Sequence, residues 1–233
     1  MTLNTQSPRR AEPLFDAKAD AARAFEAVKN GGIAILPHTI GYAAMANSSD
    51  ALQRIFKTKR RASGKLNAMI GNLEMHRQVH QCSTRGREIV EAITLDYNLP
   101  LGCIAPADMS HSLLAGMDAD MLERSSKNGT VVMLMNAGEC HAHLTKLSLA
   151  ENVPLFGSSA NVSLGGTKFK VEDIEPEIIE IADVVVDHGL QPFHPYAASS
   201  TLINVETLEL QRKGSCYDDI CYILDRHFGV QPV

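Results

Sequence analysis

The chain has 233 residues, of which 45% are hydrophobic and 21% charged, and its formal net charge is −5 at pH 7. These values are ordinary for a globular protein with a full core in one domain. The acidic balance argues against a protein that coats nucleic acid, because such proteins usually carry a basic excess. The five cysteines form no CxxC pair and their number is odd, which indicates free thiols in a reducing compartment.

The N-terminal segment is polar and lacks the apolar core of a secretory signal. We therefore predict a flexible lead-in at residues 1–15 and a single domain at residues 16–233. No apolar run approaches the about 18 residues that a membrane span needs. The sequence thus predicts a cytoplasmic protein without a membrane partner.

In the first half of the chain, hydrophobic spacing predicts alternating helices and strands. Asp16 or Asp20 caps a helix that runs to residue 30, and a short strand at 33–36 is halted by Pro37. The next predicted elements are a helix from Ser48 or Ser49 into the charged run 57–61, a strand at 66–70 and a helix at 84–97.

In the second half, the apolar run 131–135 is typical of a strand buried on both faces. The later predicted elements are a helix at 141–151, a strand at 154–156, an acidic helix at 172–181, a strand at 184–186, a strand pair at 201–205 and 208–211, and a closing helix at 218–228. Because strands and helices interleave and one hairpin is antiparallel, we predict an α/β fold with a twisted mixed sheet flanked by helices.

A basic cluster follows the second predicted helix, and its five cations lie within nine residues: Lys57, Lys59, Arg60, Arg61 and Lys65. In an extended segment Lys59 and Arg61 point the same way, and two cations on one face can bind a phosphate. The alternative interpretation is a solvated helix end, where the helix dipole also favours cations.

Small polar residues follow the predicted strand at 154–156. Ligands of open α/β sheets gather at the carboxyl ends of strands, and the hydroxyls of Ser158 and Ser159 and the amide of Asn161 can bind a carboxylate, a carbonyl or a phosphate. The alternative is an ordinary turn. Ser200, Thr201 and Arg212 are weaker signals, because alone they are typical of a turn and of a surface cation.

We predict that the protein itself holds no metal. His141 and His143 are two residues apart, so they do not share a helix face, and no further ligand lies at metal spacing. The glycines at 165 and 166 precede Thr167 and Lys168 but lack the spacing of a phosphate-binding loop.

Taken in order, these motifs resemble the YrdC-like family, which includes threonylcarbamoyl-AMP synthases. The matching residues, from about 18 to 215, are Gly31, Gly32, Pro37, Tyr42, Lys59, Arg61, Lys65, Pro154, Leu155, 158–161, Ser163, Asp187, Gly189, Ser200, Thr201, Arg212 and Gly214. Each element is weak by itself, whereas their order and spacing are specific.

The resemblance implies a reaction. Family members condense L-threonine, bicarbonate and ATP into threonylcarbamoyl-adenylate and release pyrophosphate, and the product is used to modify tRNA. It also implies ATP as a substrate, with Mg²⁺ carried on the triphosphate. The implied partners are ATP, bicarbonate and a small amino acid, with tRNA or tRNA-modification proteins as further candidates.

The resemblance also implies roles for individual residues. The residues implied to act on the reacting phosphate and carbamate, the catalytic set, are Lys59, Arg61, Ser159 and Asn161. The residues implied to bind the nucleotide are Lys65, Ser158, Ser200, Thr201 and Arg212. The residues implied to hold the amino acid are His38, Thr39 and Tyr42.

The chain departs from the family pattern at several positions. His38 and Thr39 replace the first threonine and the acid of a PTDT motif. Ile104 stands where a P-G-x-x-T motif ends in threonine, and Ala62 replaces a proline. Leu134 replaces the arginine of a V-R-x-P motif, which removes a charge-assisted contact of about 1.5–3 kcal/mol.

Three functional hypotheses follow from these departures. The first is a threonylcarbamoyl-AMP synthase with relaxed motifs. The second is a carbamoyl-adenylate enzyme that uses another amine or carbamoyl donor, because the threonine side of the site is rewritten. The third is a non-catalytic protein that binds a nucleotide or RNA, because Leu134 removes a phosphate-binding cation.

Overall fold

One mixed sheet of ten strands organises the computed structural model, which describes residues 14–61 and 65–233. The strands are β1 (Ala34–His38), β2 (Gly41–Ala46), β3 (Ala68–Ile70), β4 (Leu101–Pro106), β5 (Ser126–Lys127), β6 (Thr130–Met135), β7 (Phe156–Ser159), β8 (Val184–Val185), β9 (Leu202–Asn204) and β10 (Leu210–Arg212). Their order across the sheet is β10-β9-β4-β6-β3-β7-β2-β1-β8, and β5 pairs with β6. The predicted mixed α/β architecture is confirmed.

Helices cover the sheet on both sides. They are α1 (Ala17–Lys29), α2 (Ser49–Thr58), α3 (Leu73–Val79), α4 (Thr84–Glu91), α5 (Ser112–Ala115), α6 (Ala119–Ser125), α7 (Glu139–Glu151), α8 (Pro176–Glu180) and α9 (Tyr217–Ile223). Helices α1 and α7 pack into the smaller of two core clusters, and the other helices pack into the larger one. Among residues 14–61 and 65–233, none of the helices has both the length and the hydrophobicity to cross a membrane.

The alternation of side chains along β6 separates the two faces of the sheet. Val131, Met133 and Met135 belong to the larger core cluster. The intervening residues Val132 and Leu134 lie on the other face, where they line a cavity. The strand predicted at 131–135 is therefore confirmed, and its alternation sets the position of the candidate site.

The prediction that Pro37 ends the first strand is wrong. Pro37 lies inside β1 and is paired with Tyr42 of β2. Proline lacks an N–H donor, but none is needed at this position. Tyr42 donates its own N–H to the Lys168 carbonyl at 2.8 Å, and β8 on the other side pairs only with Ala34 and Ile35.

The acidic helix predicted at 172–181 is divided in two. A 3-10 turn covers Val171–Asp173, and α8 begins at Pro176. A residue before proline is restricted to extended conformations, and Glu175 has φ of −59° and ψ of 136°. A continuous helix through this position is therefore excluded.

Residues 1–13 of the predicted lead-in lie outside the described residues. Ala62, which departs from the family pattern, also lies outside them. Of the remaining lead-in, Phe15 stacks on the ring of His188 with 4.5 Å between the ring centroids. The division of the chain into a lead-in and one domain stays a prediction.

Candidate functional site

A cavity of about 650 Å³ lies across one face of the sheet. Its floor is apolar, because alternate residues of neighbouring strands point to the same side. The apolar residues of this floor are Ile70, Ile104, Val132, Leu134 and Leu202. Polar and charged side chains from distant parts of the sequence surround the floor. The cavity is therefore created by the sheet topology and not by one local motif.

The end of α2 directs two cations into this cavity. Arg60 has φ of 49°, in the left-handed region, and the Arg61 N–H donates to the Phe56 carbonyl at 3.1 Å. This is the pattern of a helix-ending Schellman turn. Lys59 and Arg61 thus line one cavity, whereas Arg60 forms an exposed ion pair with Glu177 at 3.0 Å. The expected common direction of Lys59 and Arg61 is found, but the turn produces it and not an extended segment.

The ammonium group of Lys59 is enclosed by oxygen atoms of the segment after β7. Lys59, which is 2% exposed, donates to the Ser159 carbonyl and to the Asn161 carbonyl, the latter at 2.6 Å. It also lies 3.3 Å from Asn161 Oδ1. The Ser163 N–H donates in turn to the Lys59 carbonyl at 2.8 Å. These bonds join the end of α2 to the 159–163 segment.

The charge of Lys59 depends on pH near neutrality. Burial lowers the pKa of Lys59 to about 7, and Arg61 and Lys65 act in the same direction, while Glu175 opposes them. A bound anion would favour the charged form and raise this pKa. The cavity therefore holds a cation whose charge responds to pH and to a ligand.

Two guanidinium groups in the cavity are held by backbone carbonyls. Arg61 Nη2 donates to the Leu66 carbonyl at 2.5 Å, and Arg212 donates to the Ser200 carbonyl through Nε at 3.0 Å and Nη2 at 2.8 Å. Burial lowers the pKa of both groups, to about 10 for Arg61, on which Arg212 also acts. A guanidinium has five N–H donors, so both groups retain donors for an anion.

The residues expected to supply hydroxyl and amide groups also lie in the cavity lining. Ser159 Oγ donates to Asn161 Oδ1 at 2.5 Å, and Asn161 Nδ2 donates to the Val162 carbonyl at 2.6 Å. Ser158 Oγ is buried and has no hydrogen-bond partner within the described part of the chain. Because β7 extends to Ser159, the two serines belong to the strand and not to a turn after it.

Ser200 and Thr201 have different positions. Ser200 lines the cavity, and its hydroxyl accepts a bond from Arg212 at 3.1 Å. Thr201 is fully buried, donates to the Ser215 carbonyl at 2.9 Å and accepts from the Gly214 N–H at 3.1 Å. Its hydroxyl thus ties two chain segments together, and Thr201 lies outside the cavity lining, so its contact with a nucleotide stays a prediction.

The β1–β2 hairpin presents a neutral imidazole to the cavity. His38 lines the cavity and packs edge-on against His141 with 5.1 Å between the ring centroids. Burial and His141 hold the pKa of His38 well below its usual value. Thr39 is not part of the cavity lining, and its N–H donates to the Ala137 carbonyl at 2.9 Å. Of these two residues, therefore, only His38 can touch a ligand in this conformation.

Tyr42 lies in the cavity lining, but its hydroxyl is used elsewhere. The hydroxyl lies 2.8 Å from the Gly189 carbonyl and 3.1 Å from Asp187 Oδ1, as the possible acceptors of its single proton. It accepts bonds from the His188 N–H at 3.1 Å and from Gln191 Nε2 at 3.3 Å. The phenol group therefore holds the 187–191 segment against β2.

Sequence analysis missed one cation of the cavity. Lys127 of β5 lies in the lining together with Asn128. The signal was present, because an Asn-Gly pair at 128–129 is typical of a hairpin turn that leads into β6. Within the described lining, Glu209 is the one carboxylate. The cations outnumber it: Lys59, Arg61, Lys65, Lys127 and Arg212.

A family model matches residues 26–214 of the chain. It is the model of the Sua5, YciO and YrdC proteins, and its description reads "Telomere recombination". The match covers the strands and loops that form the cavity. A comparison with curated proteins gave no significant match.

Solved structures share the fold. A hypothetical protein from Streptococcus mutans UA159 aligns with a TM-score of 0.73 and 22% identity over 93% of this chain and 94% of its own. Sua5 from P. abyssi, in complex with L-threonine, aligns with a TM-score of 0.71 and 19% identity over 91% of this chain and 59% of its own. YciO from E. coli aligns with a TM-score of 0.63 and 16% identity over 86% of this chain and 90% of its own.

Replacing Lys59 tests whether the cavity binds anions. We expect Lys59→Ala to weaken ATP binding by about 10- to 100-fold, because a charge-assisted contact contributes about 1.5–3 kcal/mol. Isothermal titration calorimetry measures the affinity. Lys57→Ala is the matched control, because Lys57 is exposed on the same helix and bonds to Gln53. Equal ATP affinities of the two variants would contradict the binding of anions by Lys59 in this cavity.

The lowered pKa of Lys59 predicts a pH dependence. As pH rises through about 7, the ammonium loses its proton, so the affinity for sulfate should fall between about pH 6 and about pH 8. Sulfate is the suitable probe because its own charge is constant over this range. In Lys59→Ala the profile should be flat, and a slope as steep as that of the unmodified protein would refute the assignment to Lys59.

The position of the Tyr42 hydroxyl predicts a structural effect. Tyr42→Phe leaves the Gly189 carbonyl and the His188 N–H without this partner, so the free energy of unfolding should fall by about 1–3 kcal/mol. Denaturant unfolding measures this change. Tyr222→Phe, at an exposed position, should change it little. Sulfate affinity should remain unchanged in Tyr42→Phe. A lower sulfate affinity would show that the Tyr42 hydroxyl binds the anion and would contradict a purely structural role.

Proposed function

The chain belongs to the Sua5/YciO/YrdC family, and on this premise we propose that it is an ATP-dependent enzyme that makes a carbamoyl-adenylate from an amine, bicarbonate and ATP. L-Threonine is the amine we propose first. The product would then be threonylcarbamoyl-AMP, a donor for tRNA modification, with tRNA or tRNA-modification proteins as downstream partners.

The observation that carries this proposal is the excess of cations around an apolar floor. Two guanidinium groups and the Lys59 ammonium line one cavity and are held by uncharged carbonyl oxygens. Such groups can neutralise several phosphate oxygens at once. The apolar floor under them suits a planar base. This combination supports a nucleoside triphosphate better than a small inorganic anion.

The proposed reaction needs positioning and charge neutralisation more than a protein nucleophile. The amine and bicarbonate first give a carbamate and water. A carbamate oxygen then attacks the α-phosphorus, and the bond from this phosphorus to the pyrophosphate oxygen breaks. In our proposal Arg61 and Arg212 bind the phosphates, Lys59 lies beside the reacting oxygens, and Ser158 contributes to the nucleotide site.

Magnesium enters this proposal as part of the MgATP substrate. Within the described cavity lining Glu209 is the one carboxylate, whereas a protein-held magnesium ion usually has one or two carboxylate ligands. The residues present thus fit a metal that arrives on the triphosphate. The remaining binding groups would be Lys65 and Ser200 for the nucleotide, and Ser159 and Asn161 for the phosphate and carbamate.

Two observations favour the two alternative functions. His38 contributes a neutral ring instead of the threonine that the family pattern has there, which favours an amine other than threonine. Leu134 lies on the cavity floor where the family pattern has an arginine, which favours a protein that binds a nucleotide or RNA without turnover. Threonine remains the first choice because the P. abyssi Sua5 structure contains it.

One assay separates the three possibilities. The purified protein is incubated with ATP, magnesium, bicarbonate and one amino acid at a time, and pyrophosphate release is measured. Threonine-dependent release is the expected result. Pyrophosphate release that requires a different amine supports an enzyme with another substrate. No release with any amine, combined with intact ATP or RNA binding, supports a non-catalytic binding protein. Lys57→Ala should behave as the unmodified protein, and Asn161→Ala should be inactive.

A further inference from the structure

A second cluster of chemically reactive side chains lies away from the cavity. His76, His80 and Cys103 converge within the larger core cluster. The two Nδ1 atoms of the histidines are 2.9 Å apart, and Cys103 Sγ is 3.8 Å from His80 Nδ1. All three donor atoms lie within 4.8 Å of one another. Each residue is 2% exposed or less.

Local structure explains the convergence. His76 and His80 are four residues apart at the end of α3, so their rings lie on one side of the helix. Cys103 is in the middle of β4, between Gly102 and Ile104, which line the cavity. Because strand residues alternate, Cys103 points to the opposite face of the sheet, toward α3. The cluster is therefore separated from the candidate active site by the sheet itself.

The distance of 3.8 Å between Cys103 Sγ and His80 Nδ1 fits a shared metal ion, and the 2.9 Å between the two Nδ1 atoms is at the short end for one. A zinc ion binds imidazole nitrogen at about 2.0–2.1 Å and thiolate sulfur at about 2.3 Å, which places two donors about 3–4 Å apart. Imidazole with thiolate is a donor set that suits soft or borderline metals such as Zn²⁺ and Cu⁺. A proton shared by the two Nδ1 atoms is the competing occupant of this space.

We propose that His76, His80 and Cys103 bind one thiophilic d¹⁰ cation, Zn²⁺ or Cu⁺. This proposal is independent of the proposed function. It also revises the expectation from sequence that the protein holds no metal. The ion would join α3 to β4 behind the cavity floor and would stabilise the folded state, because the three donors converge only in that state.

Two of the three donors are already in the protonation state that a metal ion requires, whereas Cys103 must lose a proton. Burial lowers the pKa of His76 to about 4 and that of His80 to about 3, so both imidazoles are neutral at pH 7. Burial raises the pKa of the Cys103 thiol well above its usual value. Metal binding would therefore displace the thiol proton to solvent and form the metal–sulfur bond, with one proton released for each ion bound.

The two ions differ in what they require. Cu⁺ with two neutral imidazoles and one thiolate forms a neutral complex, which is favourable in a buried site. Zn²⁺ would leave one positive charge and usually takes a fourth ligand. Cys82 is the nearest candidate in sequence, two residues after His80, and its charge contributes to the raised pKa of Cys103. Cys82 is therefore the candidate for a fourth ligand.

Metal titration tests the proposal. Full-length protein freed of metal by a chelator is titrated with Zn²⁺ and, under reducing conditions, with Cu⁺, both in the folded state and during refolding, because the site is buried. We expect one equivalent of one of these ions to bind and to raise the melting temperature. Cys103→Ala should weaken binding by more than about tenfold. The titration itself shows which ion binds, and a further loss of affinity in Cys82→Ala shows that Cys82 is a fourth ligand.

Matched variants and a direct measurement complete the test. Cys140→Ala removes another buried thiol, and His143→Gln removes a histidine outside the cluster, so both should retain binding. X-ray absorption of the loaded unmodified protein should give a first shell of nitrogen and sulfur, which holds even if Cys103→Ala does not fold. Binding of neither ion, a shell without sulfur, or equal binding by a folded Cys103→Ala would overturn the proposal and leave the shared proton as the occupant.

Discussion

The contact between the Lys59 ammonium and the carbonyls of Ser159 and Asn161 is the interaction on which the candidate site depends. It joins segments about 100 residues apart in sequence. A buried charge is costly unless oxygen atoms solvate it, and here uncharged backbone atoms do so. A carboxylate partner would have satisfied the ammonium and also cancelled its charge. Because carbonyls satisfy it without cancellation, the positive charge remains available to an anion.

The same principle extends to the whole cavity. Arg61 and Arg212 are also held by carbonyls, whereas several cations outside the cavity pair with acids, as in Arg77 with Glu91 and Lys29 with Glu151. Those pairs are exposed and contribute little to stability. An acidic chain can therefore still contain a strongly positive cavity. This separation explains why net charge excludes a protein that coats nucleic acid but says nothing against phosphate binding at one site.

Sequence analysis predicted features that depend on local pattern and missed those that depend on distant partners. Helix α1 has clear helical periodicity and strand β6 is a continuous apolar run, and both are found. Strand β2 is built mainly from small residues, so its strand conformation depends on pairing with β1 and β7. The Tyr42 hydroxyl meets Asp187, 145 residues away, so its structural use could not be seen. The cluster on α3 was missed because β4, which carries Cys103, was not predicted as a strand.

Strand β4 connects the two sites of the molecule. Gly102 is opposite Leu134 on the cavity face, and Cys103 is opposite Met133 on the other face. A shift of β4 by one residue would exchange these faces, so an ion held by Cys103 would fix the register of the cavity floor. Substitutions on the cavity face, such as leucine for arginine at position 134, leave the opposite face untouched. The fold can therefore stay constant while the ligand changes, which is why family membership establishes the architecture and leaves the ligand to be measured.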